Sequence, residues 1–468
     1  MIYVGFSEFL NSRRDTVKAL VNELKANFEF VSVAGSDIQA KAIQVNKNTS
    51  TISQGNETEC GFVVKMSNGG AFFEYSLDDI DSDVKALAEK IVNAFNFSMS
   101  AEEISDIHLS DEPLVKSFDR ESDIEKFSDN DILSFCDGLC HDILNKDEHF
   151  LNVTVNVGVY EVSKLFISIN RELDQHYTWV NGRIRAVYNE NGKNVAVRED
   201  AYDKSVAPVL EKLPALTDHL IHKAHMLTLA KPVVPGVYDV ITDPSITGLI
   251  AHEAFGHGVE MDQFVKDRAL AKSYVGDYVA SPIVNMKDGA GSALSVASYF
   301  FDDDGVLAGD TQIIKDGILL TGISDKGSAT QLGTVPTGNG RRESTRRKVY
   351  TRMTNTFFEK GTDKLEDMIK SVKHGYMLFE TNNGMEDPKN WAIQCVAEYG
   401  IEIIDGKLTE NYVSPVVMSG YVPDLLKSIS MVSDDFSVIG AGMCGKGYKE
   451  WVRVSDGGPA LKARVKLG

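Results

Sequence analysis

Two histidines flank a glutamate in the segment 252–257, which is His-Glu-Ala-Phe-Gly-His. Neutral imidazole is a good zinc ligand, and a glutamate next to a ligand can reach a metal-bound water. In the familiar zincin motif the two histidines lie four residues apart on one helical face, whereas here they lie five apart. On a regular α-helix this spacing turns His257 by about 140° from His252. The segment is therefore either no zinc site, or its second histidine lies on a π-bulge or just past the helix end.

Glycines around these residues favour the metal interpretation. Gly256 and Gly258 flank His257 and permit the change of backbone that the five-residue spacing requires. Cys444 lies within another glycine-rich segment, 440–447 (GAGMCGKG), which would let a thiolate approach a metal closely. Two histidines and one cysteine would leave the fourth zinc position open for water. The alternatives are unconnected helix histidines and a buried free thiol in a turn.

A dense basic run stands out in this acidic chain. Residues 338–342 are Gly-Asn-Gly-Arg-Arg, and four further basic residues follow by position 352. Arginine offers a planar fork of donors that suits a carboxylate. The candidates for substrate binding are Asn339, Arg341, Arg342 and Arg352. Ion pairing at a dimer or domain interface is an equally good interpretation of the run.

Two other polar clusters are weaker candidates. His219, His222 and His225 recur every three residues on a predicted helix, where helix packing is favoured over metal binding. Asp434 and Asp435 precede the Cys444 segment and could accept a hydrogen bond from a ligating histidine.

The elements that must position these residues divide at a Pro/Gly cluster at 230–236. Before it, apolar periodicity predicts four helices separated by alternating, strand-like segments. An N-terminal α+β domain over residues 1–229 follows from this pattern. The four predicted helices cover 15–28, 76–97, 129–144 and 206–229.

After the junction, one helix carries the histidine motif and short strands dominate the rest of the chain. Residues 316–322 and 378–381 are examples of such strands. We therefore expect a C-terminal domain over 230–468 that is mostly antiparallel β structure and barrel-like.

Composition narrows the possible partners and compartments. The 468 residues carry a formal net charge of −20, which argues against nucleic acid or an anionic membrane as a partner. No apolar stretch approaches the ~20 residues that a membrane span needs. Five cysteines do not suggest a disulfide framework, and residues 1–6 lack the features of a signal peptide. A soluble cytoplasmic protein is the expectation.

Several motifs in the same order resemble the TldD/PmbA family of metallopeptidases. The resemblance is dense from about residue 230 to the end and diffuse before it. Its motifs are TGLIAHEAFGHGVE (247–260), DDG (303–305), KDGIL (315–319), ATQLG (329–333), GNGRR (338–342), RMTNT (352–356) and MCGKG (443–447).

The resemblance implies a zinc-dependent peptidase with ligands His252, His257 and Cys444 and with Glu253 as general base. It implies a dimer that encloses the active sites, either a homodimer or a heterodimer with a related subunit. PmbA/TldE-type subunits lack the zinc residues, so this chain is similar to the catalytically competent TldD type. Unfolded or small peptides are the implied substrates. Segment 54–60 departs from the glycine-rich pattern of the family.

The working hypothesis is a zinc peptidase in which Glu253 takes a proton from a zinc-activated water and delivers it to the leaving amine. The alternative is a non-catalytic scaffold subunit that holds a metal within a peptidase heterodimer. The retained Glu253 favours the enzyme, because a purely structural metal site needs no base beside its ligand.

Overall fold

The computed structural model describes residues 5–68, 71–80, 82–99, 109 and 111–468. Met1–Val4, which bear on the expectation about a signal peptide, and Asp81 of the predicted helix 76–97 lie outside these residues. The described chain forms an N-terminal α+β region followed by a β-rich C-terminal region. This confirms the predicted fold class.

The N-terminal region is built on one large, mostly antiparallel sheet. Its order is β4-β3-β1-β6-β7-β5, with β2 paired to β1, β8 paired to β7, and β5 parallel to β7. Its described strands are β1 (Phe30–Asn46), β2 (Ser50–Gln54), β3 (Glu59–Asn68), β4 (Ala71–Leu77), β5 (Leu114–Asp119), β6 (Phe150–Ser168), β7 (Arg171–Glu190) and β8 (Lys193–Asp203). The helices of this region are α1 (Glu8–Leu24), α2 (Val84–Met99), α3 (Asp129–Lys146), α4 (Val206–Ala215) and α5 (Thr217–Leu229), with a 3-10 turn at Ile124–Lys126.

Both faces of this sheet are covered, which explains the long apolar runs in its sequence. Successive side chains of a strand point to opposite faces. On β6 the odd-numbered Val153 shares a core with helix residues such as Cys136. The even-numbered Val162 packs near Val296 and Phe166 near Phe301, both from the C-terminal region. The sheet therefore carries helices on one face and the C-terminal region on the other.

The C-terminal region contains a closed five-stranded barrel and a second sheet. The barrel runs β16-β9-β23-β19-β17 and closes where β17 pairs with β16. The second sheet runs β12-β11-β10-β15-β22-β21, and β21 lies at its edge. Pairing is antiparallel except between β9 and β16 and between β15 and β22. The described strands are β9 (Gly236–Thr242), β10 (Met286–Asp288), β11 (Thr311–Lys315), β12 (Ile318–Leu319), β13 (Gly340–Arg341), β14 (Tyr350–Thr351), β15 (Asn355–Phe358), β16 (His374–Asp387), β17 (Ala392–Ile404), β18 (Lys407–Val413), β19 (Val416–Tyr421), β20 (Met431–Val432), β21 (Ser437–Lys446), β22 (Lys449–Gly458) and β23 (Leu461–Leu467).

Several boundaries differ from the sequence prediction. The helix predicted over 206–229 is two helices, because the backbone turns at Leu216, whose N–H bonds to Leu213 O instead of continuing the helical ladder. The helix predicted from Ser76 begins at Val84, since Ser76 still pairs with Val63 in the sheet. More than one helix follows the junction: α6 (Pro244–Leu249), α7 (Met261–Val265), α8 (Lys326–Leu332), α9 (Leu365–Lys370) and α10 (Val422–Lys427), with a 3-10 turn at Leu270–Tyr274.

The predicted junction connects α5 to the barrel strand β9. Lys231 within it forms a parallel bridge to Val413 at the end of β18. Across the described part of the chain, no helix is both long and apolar enough to span a membrane.

Candidate metal centre

The histidine motif lies on a π-helix. The helix α6 begins after Asp243, whose carboxylate accepts from Ile246 N at 2.8 Å. It continues into a π-helix over Ile250–Gly256 and a 3-10 turn over His257–Val259. The N–H of His257 donates to the carbonyl of His252, five residues earlier. A five-residue repeat puts residues five apart on one side of the helix, so the unusual spacing and the π geometry match.

Close packing requires the two glycines around His257. A Cβ at position 256 would lie 2.1 Å from Met353 Sδ, and one at 258 would lie 2.9 Å from Glu386 Oε1. Both distances are shorter than van der Waals contact, so a side chain at either position would require Met353 or Glu386 to move. The glycines therefore leave room for neighbouring side chains as well as permitting the backbone geometry.

Three donor atoms converge at this point. His252 Nε2 lies 3.1 Å from Cys444 Sγ, and His257 Nε2 lies 3.3 Å from the same sulfur. The three ligand atoms all lie within 4.8 Å of one another, and the two imidazole planes are nearly perpendicular at 86°. Two ligands of a tetrahedral zinc with bonds of about 2.0–2.3 Å stand about 3.5 Å apart. The donor set and its spacing fit zinc.

Burial and mutual charge interactions shift the pKa values of these three groups. Burial alone would raise the pKa of the Cys444 thiol, but the two imidazoles outweigh it and hold that pKa well below its usual range. Burial would lower the pKa of His252, but the Cys444 sulfur raises it to about 9. The centre therefore favours a thiolate, which is the form of cysteine that binds a metal.

Glu260, which is paired with Lys446, contacts His257 at Nδ1, the ring nitrogen that does not face Cys444. His257 Nδ1 lies 3.4 Å from Glu260 Oε2, and Lys446 Nζ donates to the same oxygen at 3.0 Å. Burial disfavours the charge of Glu260, but Lys446 and His257 hold the pKa of its carboxyl below its usual range. A carboxylate on the outer nitrogen of a ligating histidine fixes the ring and its tautomer.

Arg352 contacts both the sulfur and the backbone of Cys444. Its guanidinium is fully buried and donates to Cys444 Sγ at 2.9 Å and to Cys444 O at 2.8 Å. A further nitrogen donates to the carbonyl of Glu450, and Nε lies 3.4 Å from Glu260 Oε1. Arg352, predicted as a substrate-binding residue, thus connects the sulfur of Cys444 with the backbone at Cys444 and Glu450 and with the carboxylate of Glu260.

The other three residues predicted to bind substrate form internal contacts. The buried Asn339 donates to Asp288 Oδ1 and to Arg352 O. Arg341 donates to the carbonyls of Met353 and Arg453 at 2.6 Å each. Arg342 lies 3.4 Å from Glu74 of the N-terminal region. Of these contacts, the pair of Arg342 with Glu74 agrees with the interpretation of the basic run as ion pairing at a domain interface, and substrate binding by the four residues stays a prediction.

Glu253 lies beside the three donors. Its Oε2 is 3.9 Å from His257 Nε2, and its side chain keeps 16% exposure, so solvent can reach it. Strand β16 faces it closely, because a Cβ on Gly384 would lie 2.6 Å from Glu253 Cγ. The Glu253 side chain therefore lies close to both His257 and β16.

Sequence reasoning missed several neighbours of the centre. Glu260 follows His257 by three residues, a helical spacing that could have identified it. Asp456 and Glu386 lie on the distant strands β22 and β16, and no local pattern marks them. Burial raises the pKa of Asp456 to about 6, and His252 moderates that rise.

The expectation that Asp434 or Asp435 supports a ligating histidine is wrong. Asp434 pairs with Lys364, and Asp435 accepts from Ser433. The carboxylate that contacts the outer ring nitrogen of His257 is that of Glu260.

Comparison with known proteins agrees with this geometry. Residues 235–465 match the family model described as PmbA/TldA metallopeptidase C-terminal domain. A metalloprotease of Methanothermobacter thermautotrophicus is 32% identical over 242 residues, 52% of this chain and 52% of the relative. A zinc metalloprotease TldD homolog of Saccharolobus solfataricus is 31% identical over 237 residues, 50% of this chain and 52% of the relative. The matched stretch thus spans about half the length of these curated relatives.

A solved structure extends the likeness of fold to nearly the whole chain. The crystal structure of TldE from Thermococcus kodakarensis superposes with a TM-score of 0.78 at 17% identity. The match covers 96% of this chain and 99% of that one. At this identity the likeness concerns the fold alone.

Proposed function

From the premise that the chain belongs, through its C-terminal half, to the PmbA/TldD metallopeptidase family, we propose that it is a zinc-dependent peptidase. The observation that carries the proposal is the convergence of His252 Nε2, His257 Nε2 and Cys444 Sγ within 4.8 Å, with Glu253 beside them. Among the relatives, one is named a zinc metalloprotease, which supports zinc as the metal.

In this proposal His252, His257 and Cys444 hold the metal. Bound zinc supplies a Lewis acid that polarises the scissile carbonyl and makes water more acidic. Glu253 accepts the proton of the attacking water and later delivers it to the leaving amine. Glu260 and Arg352 keep the ring of His257 and the sulfur of Cys444 in place through both steps.

The substrates proposed are unfolded or small peptides. Strand β21 carries Cys444 and lies at the edge of its sheet in the described structure. An extended peptide can add to such an edge through main-chain hydrogen bonds. This mode reads the backbone more than the side chains, so it suits chains without fixed structure.

Assembly and compartment are part of the proposal. We place the protein in the cytoplasm, with a second copy or a related subunit completing a dimer. The fold likeness to a TldE protein supports a partner of similar build. The scaffold alternative stays testable, because it requires zinc without turnover.

Glu253→Gln is the direct test. The variant should keep its zinc, measured per chain by mass spectrometry, but should lose cleavage of a denatured protein such as reduced casein. Glu366→Gln on α9, an exposed residue far along the chain, is the matched control and should cleave normally. Full cleavage by Glu253→Gln, or chelator-insensitive cleavage by the wild type, would contradict the proposal.

A further inference from the structure

A cavity of about 500 Å³ lies between the N-terminal sheet and the C-terminal region. Tyr160 and Trp179 belong to its N-terminal wall, and Tyr299 belongs to its C-terminal wall. Met443, the residue before Cys444 on β21, lines it as well. Successive side chains of a strand point to opposite faces, so Cys444 faces the metal centre and Met443 faces the cavity. The cavity therefore adjoins the strand that carries a proposed metal ligand.

The size and position of this cavity are typical of a ligand site. Pockets for small ligands measure about 300–1,000 Å³, are lined mainly by apolar and aromatic groups, and occur preferentially at domain interfaces. A peptide paired with the free edge of β21 would direct alternate side chains toward the metal centre and toward the cavity. A group of the substrate near the cleaved bond can therefore enter it.

Arg341 is a cation of the cavity lining that forms no ion pair with any residue that the structure describes. Two of its nitrogens donate to backbone carbonyls at 2.6 Å each. The other three cations of the lining each pair with a carboxylate: Lys164 with Asp303, Arg342 with Glu74 and Arg453 with Glu57. The positive charge of Arg341 thus lacks the counter-charge that its neighbours have.

The guanidinium of Arg341 is fixed in place by neutral groups. The carbonyls of Met353 and Arg453 accept its two hydrogen bonds, and its Cζ lies 5.5 Å from the ring centroid of Tyr299. These bonds use two of the five N–H donors of a guanidinium. Arg341 is partly exposed and lines the cavity, so a ligand there can approach the remaining donors.

Two further carboxyl groups of the lining are already occupied elsewhere. Asp302 accepts three backbone N–H groups at 2.8–2.9 Å, and burial raises its pKa well above its usual range, which favours the neutral form. Glu343 accepts the N–H of Glu450 at 2.8 Å and lies 3.8 Å from Arg347. Neither group supplies the missing counter-charge of Arg341.

On these grounds we infer that the cavity binds a carboxylate of the peptide substrate and that Arg341 holds it. The planar fork of an arginine matches the two oxygens of a carboxylate. The inference rests on the proposed peptidase function and names a substrate class for it, peptides with an acidic group near the cleaved bond. Two sources share this chemistry: an acidic side chain, or the free C-terminal carboxylate of a short peptide.

A set of short peptides separates the two sources. The reference is neutral, with glutamine at its interior positions and an amidated C-terminus. Variants carry one glutamate at each interior position in turn, or a free C-terminal carboxylate. With the zinc-loaded full chain, kcat/KM should be about 10-fold to 100-fold higher for the peptide whose carboxylate reaches Arg341, because hydrogen bonds between charged groups are strong. A gain from glutamate identifies the side chain, and a gain from the free carboxylate identifies the terminus. Equal kcat/KM for charged and neutral peptides overturns the inference.

Variants then locate the preference. Arg341→Gln should lower kcat/KM for the preferred peptide to the level of the neutral reference, and Arg341→Lys should retain part of the preference. Arg346→Gln is the matched control, because it removes an arginine of the same basic run whose side chain is 77% exposed and pairs with Asp78. Its preference should match the wild type. An unchanged preference in Arg341→Gln, or an equal loss in Arg346→Gln, overturns the inference.

A binding measurement keeps the inference separate from the proposed function. Titration of zinc-loaded Glu253→Gln with the same peptides should show tighter binding of a peptide with a carboxylate, and adding Arg341→Gln should remove the difference. If the wild type cleaves none of the peptides, the proposed function fails, and this titration still decides the inference. Equal binding of charged and neutral peptides to Glu253→Gln overturns it.

Discussion

In the part of the chain that the structure describes, two clusters each bring three metal-binding side chains together, and only one of the two is a convincing metal centre. In the C-terminal region His252, His257 and Cys444 meet. Where α5, β8 and β16 meet, Glu199, His219 and Glu380 also place ligand atoms within 4.8 Å of one another. In the second cluster, however, Lys223 Nζ already lies 2.7 Å from both Glu199 and Glu380. Three ligand atoms close to one another are therefore not sufficient evidence for a metal site, because a lysine of the protein can take the place of the metal ion.

The histidines of α5 show the same contrast. His219 accompanies Glu199, and His225 pairs with Glu190 at 2.6 Å, each with its side chain about half exposed. They serve as partners for carboxylates on the neighbouring sheet, neither packed core residues nor a convergent ligand set.

The largest expected effect concerns the lysine of the second cluster. Lys223→Met leaves Glu199 and Glu380 without their shared cation, and breaking a buried pair costs about 3–5 kcal/mol in the free energy of unfolding. Urea denaturation measures this loss, and zinc content should not change. His219→Gln is the control, since it removes an exposed partner of the same Glu199 and should cost less than about 1 kcal/mol. If Lys223→Met were as stable as the wild type, Lys223 would not be the stabilising cation of the second cluster.

Cys444→Ser tests the first cluster in the same way. Loss of the thiolate should weaken zinc binding by about 100-fold or more, because removing a ligand exceeds the effect of removing a residue that supports one. Zinc per chain after dialysis gives the readout. Cys395→Ser, which alters another buried free cysteine, should keep its zinc. Retention of zinc by Cys444→Ser would place the metal elsewhere.

A smaller effect is expected from the arginine that holds the sulfur. Arg352→Lys keeps the charge but loses the fork whose two terminal nitrogens reach Cys444 Sγ and the carbonyl of Glu450 together, so zinc affinity should fall by about 10-fold. Competition with a chelator measures it. Arg341→Lys alters a neighbouring arginine bonded to other carbonyls, and its affinity should match the wild type. The same affinity in both variants would show that the bond to sulfur contributes nothing.

The smallest expected effect concerns His176. Here a proton on the imidazole, instead of a metal ion or a lysine, balances the charge of two neighbouring carboxylates. His176 is buried between Asp119 and Glu161, at 2.8 and 3.2 Å. Burial lowers its pKa, but the two carboxylates outweigh this and raise it above the unfolded value of about 6.5. Its contribution to stability is then fully present below about pH 6.5 and is lost as the pH rises through the folded pKa. His176→Gln should flatten that decline in unfolding free energy. A decline of unchanged size would assign it to other groups.

Local signals in the sequence were sufficient for the core of the candidate site. The five-residue spacing and Gly256 and Gly258 pointed to a π-bulge or to a histidine just past a helix end, and the structure has a π-helix over Ile250–Gly256 that ends directly before His257. The glycines around Cys444 singled out a residue 187 positions after His257. Glu386, Asp456 and the bond from Arg352 to sulfur arise only when distant strands meet, and no periodicity encodes such contacts. The break at Leu216 was missed for a simpler reason, since both helices share one apolar pattern.

The π-helix also has a consequence for how such a site can change by mutation. A π turn holds one residue more than an α turn, so the segment is equivalent to an α-helix with a single residue inserted between the two histidines. Deleting one codon at Ala254 or Phe255 would give the four-residue spacing and allow a regular helix. The following segment, with Gly258 and Glu260, would keep nearly its orientation, because the deletion removes the one residue that the π turn accommodates. One inserted or deleted codon therefore separates two ways of presenting a pair of histidines on one side of a helix.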